Sequence, residues 1–342
     1  MDIKKISADI LSGLFNLEGR VGKSMVIRKW VTSLFILWRS KLPLTQIEKL
    51  SKEIPFHIYL ISTSELHKSN DWYGTASWLK KYAHIPQTVS LKVTIEHGFY
   101  PSNEIFHKDI KSDLPIMVTM AKKRAAYLSL KAKKKSISIG PYIHYAQDFL
   151  SPRDYQMEKE RLGKNLLVFP YHSTGISKVN YDKKKLCKKI HEIGKGFDSI
   201  RICMYWKDVK HGHAEYFKKQ GFECVTAGYM LDPNFLPRLK SIIKLSDFTV
   251  SQGVGTQVGY CILLHKPHYI MDDRHFYTGT DKDELKLIRK GKNCSNYKKI
   301  ETAFNHIGKN ISQYQYDIVN YYWGLDQIKS SIQLRKILES PR

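Results

Sequence analysis

Short apolar runs that alternate with stretches of helical length recur twice along this chain, and that alternation restricts the fold more than any other feature. The first series is PFHIYLIS at 55–62, VSLKVTIEHG at 89–98, PIMVTM at 115–120 and SISIGP at 136–141, with helical stretches over Asn70–Tyr82 and Ala121–Ala132. The second is NLLVFPYHST at 165–174, SIRICMYW at 199–206, FECVTAGY at 222–229, DFTVSQG at 247–253 and HKPHYIM at 265–271, spaced by helical lengths at 181–193, 208–220 and 234–246. Strand, helix and strand in succession give a parallel sheet covered by helices. The expected fold class is therefore α/β, with two Rossmann-like domains facing across a cleft. Residues 1–150 form the first domain, opened by a basic helical segment at 1–52; 151–164 is a linker; 165–300 form the second domain; and the helices of 301–342 cross back to the first.

A chain of 342 residues with 42% hydrophobic content can bury two cores, which excludes a disordered protein. Its 56 Lys and Arg against 32 Asp and Glu leave a net charge of +24, which attracts nucleic acid, anionic membrane or phosphate-bearing substrates. No RNA-recognition, zinc-finger or helix-turn-helix signature accompanies the charge, so nucleic acid is not an expected partner. Five scattered cysteines without zinc spacing read as free thiols in a reducing cytoplasm. The N-terminus lacks the apolar core of a signal peptide, and the apolar run at 31–38 is too short to span a membrane. The helix-forming stretch 23–41 has a wide apolar face with Arg28, Lys29, Arg39 and Lys41, and it suits either packing on a sheet or lying on an anionic membrane. A cytoplasmic protein, peripheral on the inner face of the membrane if that helix binds lipid, is the expectation.

Ligands of open α/β sheets bind beyond the carboxyl ends of the strands. At 248–271 a strand breaks into Ser251, Gly253, Gly255 and Thr256 and restarts as a helix, so unpaired N–H groups and the helix dipole make a candidate phosphate cradle. Two other strand ends are chemically rich. Glu96 and His97, before Gly98, are candidate bases toward a hydroxyl, and His172 with Ser173 and Thr174 is placed to hold or protonate a phosphate. Tyr205 and Lys207 are candidates to stack on or neutralise a nucleotide. No metal is expected: His211 and His213 are two residues apart and point apart on a helix, and although Asp272 with Asp273 and Asp281 with Asp283 resemble acidic metal pairs, the latter precedes a helix and reads as its cap.

The succession IEHGFYPSN, LLVFPYHSTG, RICMYWKDV, GFECVTAGYMLDPNFLPRL and FTVSQGVGTQVGYCILLHKPHYIM resembles GT-B glycosyltransferase-like proteins of bacterial surface-polysaccharide gene clusters, over about 95–271. The resemblance implies sugar transfer from a nucleotide-sugar donor, bound by the second domain, to a glycan or lipid-linked acceptor, without metal or other cofactor. Related inverting enzymes that use CMP-linked acidic sugars have an acidic residue before Gly, a His at a strand end and a Ser/Thr turn where this chain has Glu96, His172 and Ser251 to Thr256. His97 stands where a second acid is common in them, and Ser173 where Pro is common. The chain is also similar to polyol-phosphate transferases in its His-Gly pair, and on that likeness His97 is the base and Glu96 its orienting partner. The alternatives are a polyol-phosphate transferase or a nucleotide-sugar epimerase on the same fold, and, from another class, a nucleic-acid-binding protein to which the charge of +24 would be directly relevant.

Overall fold

Valine, isoleucine and leucine without polar alternation mark strands covered on both faces, and the strands of this chain are of that kind. The computed structural model describes residues 25–54, 65–105, 107–174, 177–271, 275–279, 285, 291 and 293–339. β1 (Val93–Ile95), β2 (Ile116–Thr119) and β3 (Lys135–Ser138) form a parallel sheet in the order β1-β2-β3. β1 and β2 are buried throughout, and β3, with exposed Lys135, is one of the two end strands among the described residues.

A five-stranded parallel sheet follows, built from β4 (Asn165–Phe169), β6 (Ser199–Cys203), β7 (Glu223–Val225), β8 (Phe248–Ser251) and β9 (His268–Ile270). Its order is β7-β6-β4-β8-β9, with the first strand in the middle, which is the doubly wound arrangement. The α/β expectation with parallel sheets is what the chain adopts. β5 (Ser177–Tyr181) and β10 (His275–Gly279) form a separate antiparallel ribbon. That ribbon interrupts a stretch read as helical from 181, and the helix begins only at Lys183, where Asp182 accepts from the Lys185 N–H. The helix expected over 208–220 is likewise split into Trp206–Lys210 and His213–Lys219, because Gly212 adopts φ +74 between them. The expected strand at 55–62 and the Asp272, Asp273, Asp281 and Asp283 readings lie outside the described residues.

The tail returns to the first sheet. Ser312 and Gln315 form a reciprocal capping box that starts the helix Gln313–Trp323. Trp323 is fully buried, stacks on Phe99 with centroids 3.8 Å apart, and lies against Gly259 of the helix Thr256–Leu263. The N-terminal segment packs differently from its grouping in the sequence. From the helix Met25–Arg39, Phe35 joins Ile54, Trp206 and Tyr229 in one cluster, and Ile47 enters the core of the five-stranded sheet. Arg39 and Arg238 both donate to Asp232, all three fully buried, which fastens this segment to the second half of the chain rather than the first.

Candidate active site

The carboxyl ends of β1, β4 and β6 and the start of the helix Thr256–Leu263 meet around a cleft of about 350 Å³. Among the predicted site residues, Glu96, His97, His172, Tyr205, Gly255 and Thr256 line it. No Lys or Arg does so among the described lining residues, and rings dominate the walls.

The wall opposite β4 is a 3-10 segment, Lys68–Gly74. Tyr73 has φ +61 and Gly74 φ +70, and a Cβ on Gly74 would sit 2.4 Å from the Pro233 carbonyl. This left-handed turn, unusual for an aromatic residue, presses the wall onto the second half of the chain, where the Tyr73 N–H donates to Met230 O at 2.6 Å. The turn places Trp72 and Tyr73 around His97, one ring edge-on at 4.6 Å and the other stacked at 5.1 Å. Desolvation by this enclosure, followed by the charge of nearby His172, pushes the His97 imidazole down to about 4, so it is neutral at pH 7.

His172 stands exposed beyond β4, its ring 4.7 Å from that of Tyr205. Its Nδ1 lies 3.0 Å from the Ser173 carbonyl, which can only accept, so Nδ1 carries a proton and Nε2 is the nitrogen left to exchange one. The Tyr205 and Tyr73 hydroxyls are 3.4 Å apart, which makes an unbroken aromatic path from His97 to His172.

Glu96 differs from its expected role. Its buried carboxylate takes a forked pair of bonds from Arg124, the nearest at 2.5 Å, and one from Thr119 Oγ1 at 2.6 Å. It anchors the β1 end to the helix Lys122–Ala132 and has no bond to His97 among the described residues.

The phosphate cradle also needs correction. Ser251 is fully buried, its hydroxyl 2.8 Å from Gly253 O and 2.9 Å from His268 Nε2. Gly253 is small because a Cβ there would fall 2.5 Å from the Tyr171 ring. Neither lines the cleft. Ser173 is buried too, its N–H and hydroxyl both donating to Asp208. Thr174 N donates to Ser177 O at 2.9 Å, and Lys207 Nζ lies over the Trp206 ring at 5.4 Å. Gly255 and Thr256 do reach the cleft, but the Thr256 hydroxyl accepts from Phe99 N at 3.0 Å, so it latches the two halves together. A Cβ on Gly98, at φ +74, would fall 3.0 Å from that hydroxyl. What the helix start offers a ligand is its backbone N–H groups and dipole.

Trp72, Tyr73, Arg124 and Asp208 were not legible as site residues; the Tyr73-Gly74 pair ahead of a helix was the available turn signal. Among the described residues, no group of three His, Cys, Asp or Glu side chains could hold a metal ion.

No protein-family model matches the chain, and no curated protein matches it. Among solved structures it is similar to the Staphylococcus aureus MnaA–UDP co-structure, at 12% identity over 89% of this chain and 79% of that one, with a TM-score of 0.39. It is also similar to the UDP-GlcNAc 2-epimerase from Neisseria meningitidis bound to UDP-GlcNAc, at 13% identity over 93% and 80% of the two chains, with a TM-score of 0.35.

Proposed function

We propose that this protein is a nucleotide-sugar enzyme that transfers a glycosyl group to a hydroxyl acceptor, with His97 as base and His172 as acid. The observation that carries this reading is the presence of His97 and His172 in one cleft between the carboxyl ends of two parallel sheets. The neutral His97 imidazole accepts the acceptor's hydroxyl proton, and the aromatic enclosure that keeps it neutral also excludes water. His172, fixed through Nδ1, acts as acid in its imidazolium form: it gives the Nε2 proton to the departing phosphate and is left as the neutral Nδ1–H ring. The N–H groups at the start of Thr256–Leu263 stabilise the charge that develops on that phosphate. The rings of Tyr73, Tyr205 and Phe235 provide flat surfaces for a sugar ring or a base.

A second reading, an epimerase acting on the same donor, is favoured by size. A cleft of about 350 Å³ is at the low end for ligand sites and suits one nucleotide-sugar head without an acceptor chain beside it. The acceptor, glycan or lipid-linked, belongs to the transferase reading alone. Membrane contact would involve the helix Met25–Arg39, where Trp30 is 57% exposed; no described helix is long and apolar enough to cross a membrane.

The test is a thermal-shift panel of CMP, UDP, GDP and their sugar conjugates, followed by NMR of the best donor with and without acceptor. Binding of a CMP-linked acidic sugar would support the donor implied by the family resemblance, and a UDP or GDP preference would move it to a neutral hexose. Conversion of donor alone selects the epimerase. Replacing His97 with Ala should lower turnover about 10²-fold or more while leaving nucleotide binding in place; unchanged turnover removes it as base.

A further inference from the structure

Behind the wall that carries Trp72 and Tyr73 lies a group of side chains that the histidine pair does not use. Ser69 lines the cleft, and its hydroxyl is 2.6 Å from His67 Nδ1. On the far side of that ring, His67 Nε2 is 3.7 Å from Asp109 Oδ1. Asp109 is buried at 3% exposure, and its second oxygen has no hydrogen-bond partner among the described residues. Hydroxyl, imidazole and carboxylate thus follow one another from the cleft surface inward. The separation of 3.7 Å from Nε2 to Asp109 is an ion-pair distance, not a hydrogen bond; with the ring proton on Nε2, Nδ1 keeps its lone pair and accepts from the Ser69 hydroxyl.

We infer that Ser69, His67 and Asp109 form a proton relay opening onto the cleft, which takes the proton of a hydroxyl group on a bound sugar or polyol. The choice of ligand rests on the nucleotide-sugar reading above; the relay itself rests on the geometry. As the ligand O–H bond breaks, its proton passes to Ser69 Oγ and the Ser69 proton passes to His67 Nδ1. The resulting imidazolium is held by the Asp109 carboxylate, and the return transfer restores all three groups.

A purely structural role does not account for Asp109. Arg124, whose charge opposes the effect of burial on Asp109, is committed to Glu96, and a buried carboxylate oxygen that has no hydrogen-bond partner among the described residues costs stability. Among the described residues, the titratable groups that face Asp109 are His67, Glu96, Tyr100, Arg124 and Tyr142. Burial, with the Glu96 charge added and Arg124 opposing, pushes the Asp109 carboxyl up to about 7. It therefore gains and loses a proton in the neutral range, as a relay terminus should.

The test uses the full chain labelled with ¹⁵N-histidine, as wild type, Ser69→Ala and Asp109→Asn. The relay requires His67 as the Nε2–H tautomer near neutral pH, and its titration midpoint should fall by about one unit or more in Asp109→Asn. An Nδ1–H tautomer, or a midpoint that Asp109→Asn leaves in place, overturns the relay. With a donor identified, Ser69→Ala should lower turnover about tenfold or more with the nucleotide thermal shift preserved; unchanged turnover overturns the catalytic use. If no nucleotide shifts the wild-type melting temperature, the ligand reading fails while the tautomer result still decides the relay.

Discussion

His268 gives the most direct check on the electrostatics of the second sheet. It is 2% exposed, with Nδ1 2.7 Å from Thr249 Oγ1 and Nε2 2.9 Å from Ser251 Oγ. Burial alone pushes it from 6.5 down to about 3, with no carboxylate acting to offset the cost of a charge. The hydroxyls could work against this. Thr249 has Pro267 O at 2.9 Å and Ser251 has Gly253 O at 2.8 Å as outlets for their protons, which would let both accept from an imidazolium. If burial wins, the folded protein binds the His268 proton less readily than the unfolded chain. Its contribution is then complete above the unfolded value of 6.5 and is lost as pH falls toward the folded value of about 3. Linkage gives a loss of about 2 kcal/mol at pH 5 and about 3 kcal/mol at pH 4 for this one group. Urea unfolding between pH 7.5 and 5 measures it, with His268→Gln as the reference. Other depressed histidines, His97 and His144 among them, titrate in both proteins and cancel in the difference. The wild type should lose about 2 kcal/mol more than the variant over that range. Parallel curves would refute the argument and show that the two hydroxyls solvate an imidazolium as well as water does.

Two further outcomes follow from packing and charge. Gly259→Ala would place a Cβ 2.2 Å from the Trp323 ring, so overpacking should exceed the helix-propensity gain and cost about 1–3 kcal/mol in urea unfolding. Asp232→Asn would leave the guanidiniums of Arg39 and Arg238 buried without their shared carboxylate, for a loss of about 3–5 kcal/mol by the same assay.

The parallel sheets were legible because their strands announce themselves locally: Asn165–Phe169 and Phe248–Ser251 are buried along their whole length, and their sequences are correspondingly apolar. The antiparallel ribbon was not. Ser177–Tyr181, SKVNY, has one fully buried apolar residue, Val179, and pairs with a strand nearly a hundred residues away, so no local pattern records it. The placement of the N-terminal helix was hidden for a similar reason. Arg39 reads as part of a basic face until Asp232 and Arg238 close around it, and burial of a charged side chain depends on partners that only the fold assembles.

The site shows the same division between position and role. Strand ends at Glu96-His97 and His172 could be read from the sequence, because a doubly wound sheet fixes where its loops point. What each side chain does there depends on neighbours from elsewhere. Arg124 and Thr119, 28 and 23 residues beyond Glu96, take its carboxylate and turn a candidate base into an anchor. Trp72 and Tyr73, two dozen residues before His97, desolvate its ring and hold it neutral. Adjacent residues thus acquire opposite functions: one side chain is spent on fixing the loop, which frees the other to face the cleft. The same logic separates Ser173 from His172. Asp208 takes the serine's hydroxyl and N–H, and the serine's carbonyl then orients the histidine, so the residue read as a phosphate ligand serves the one beside it.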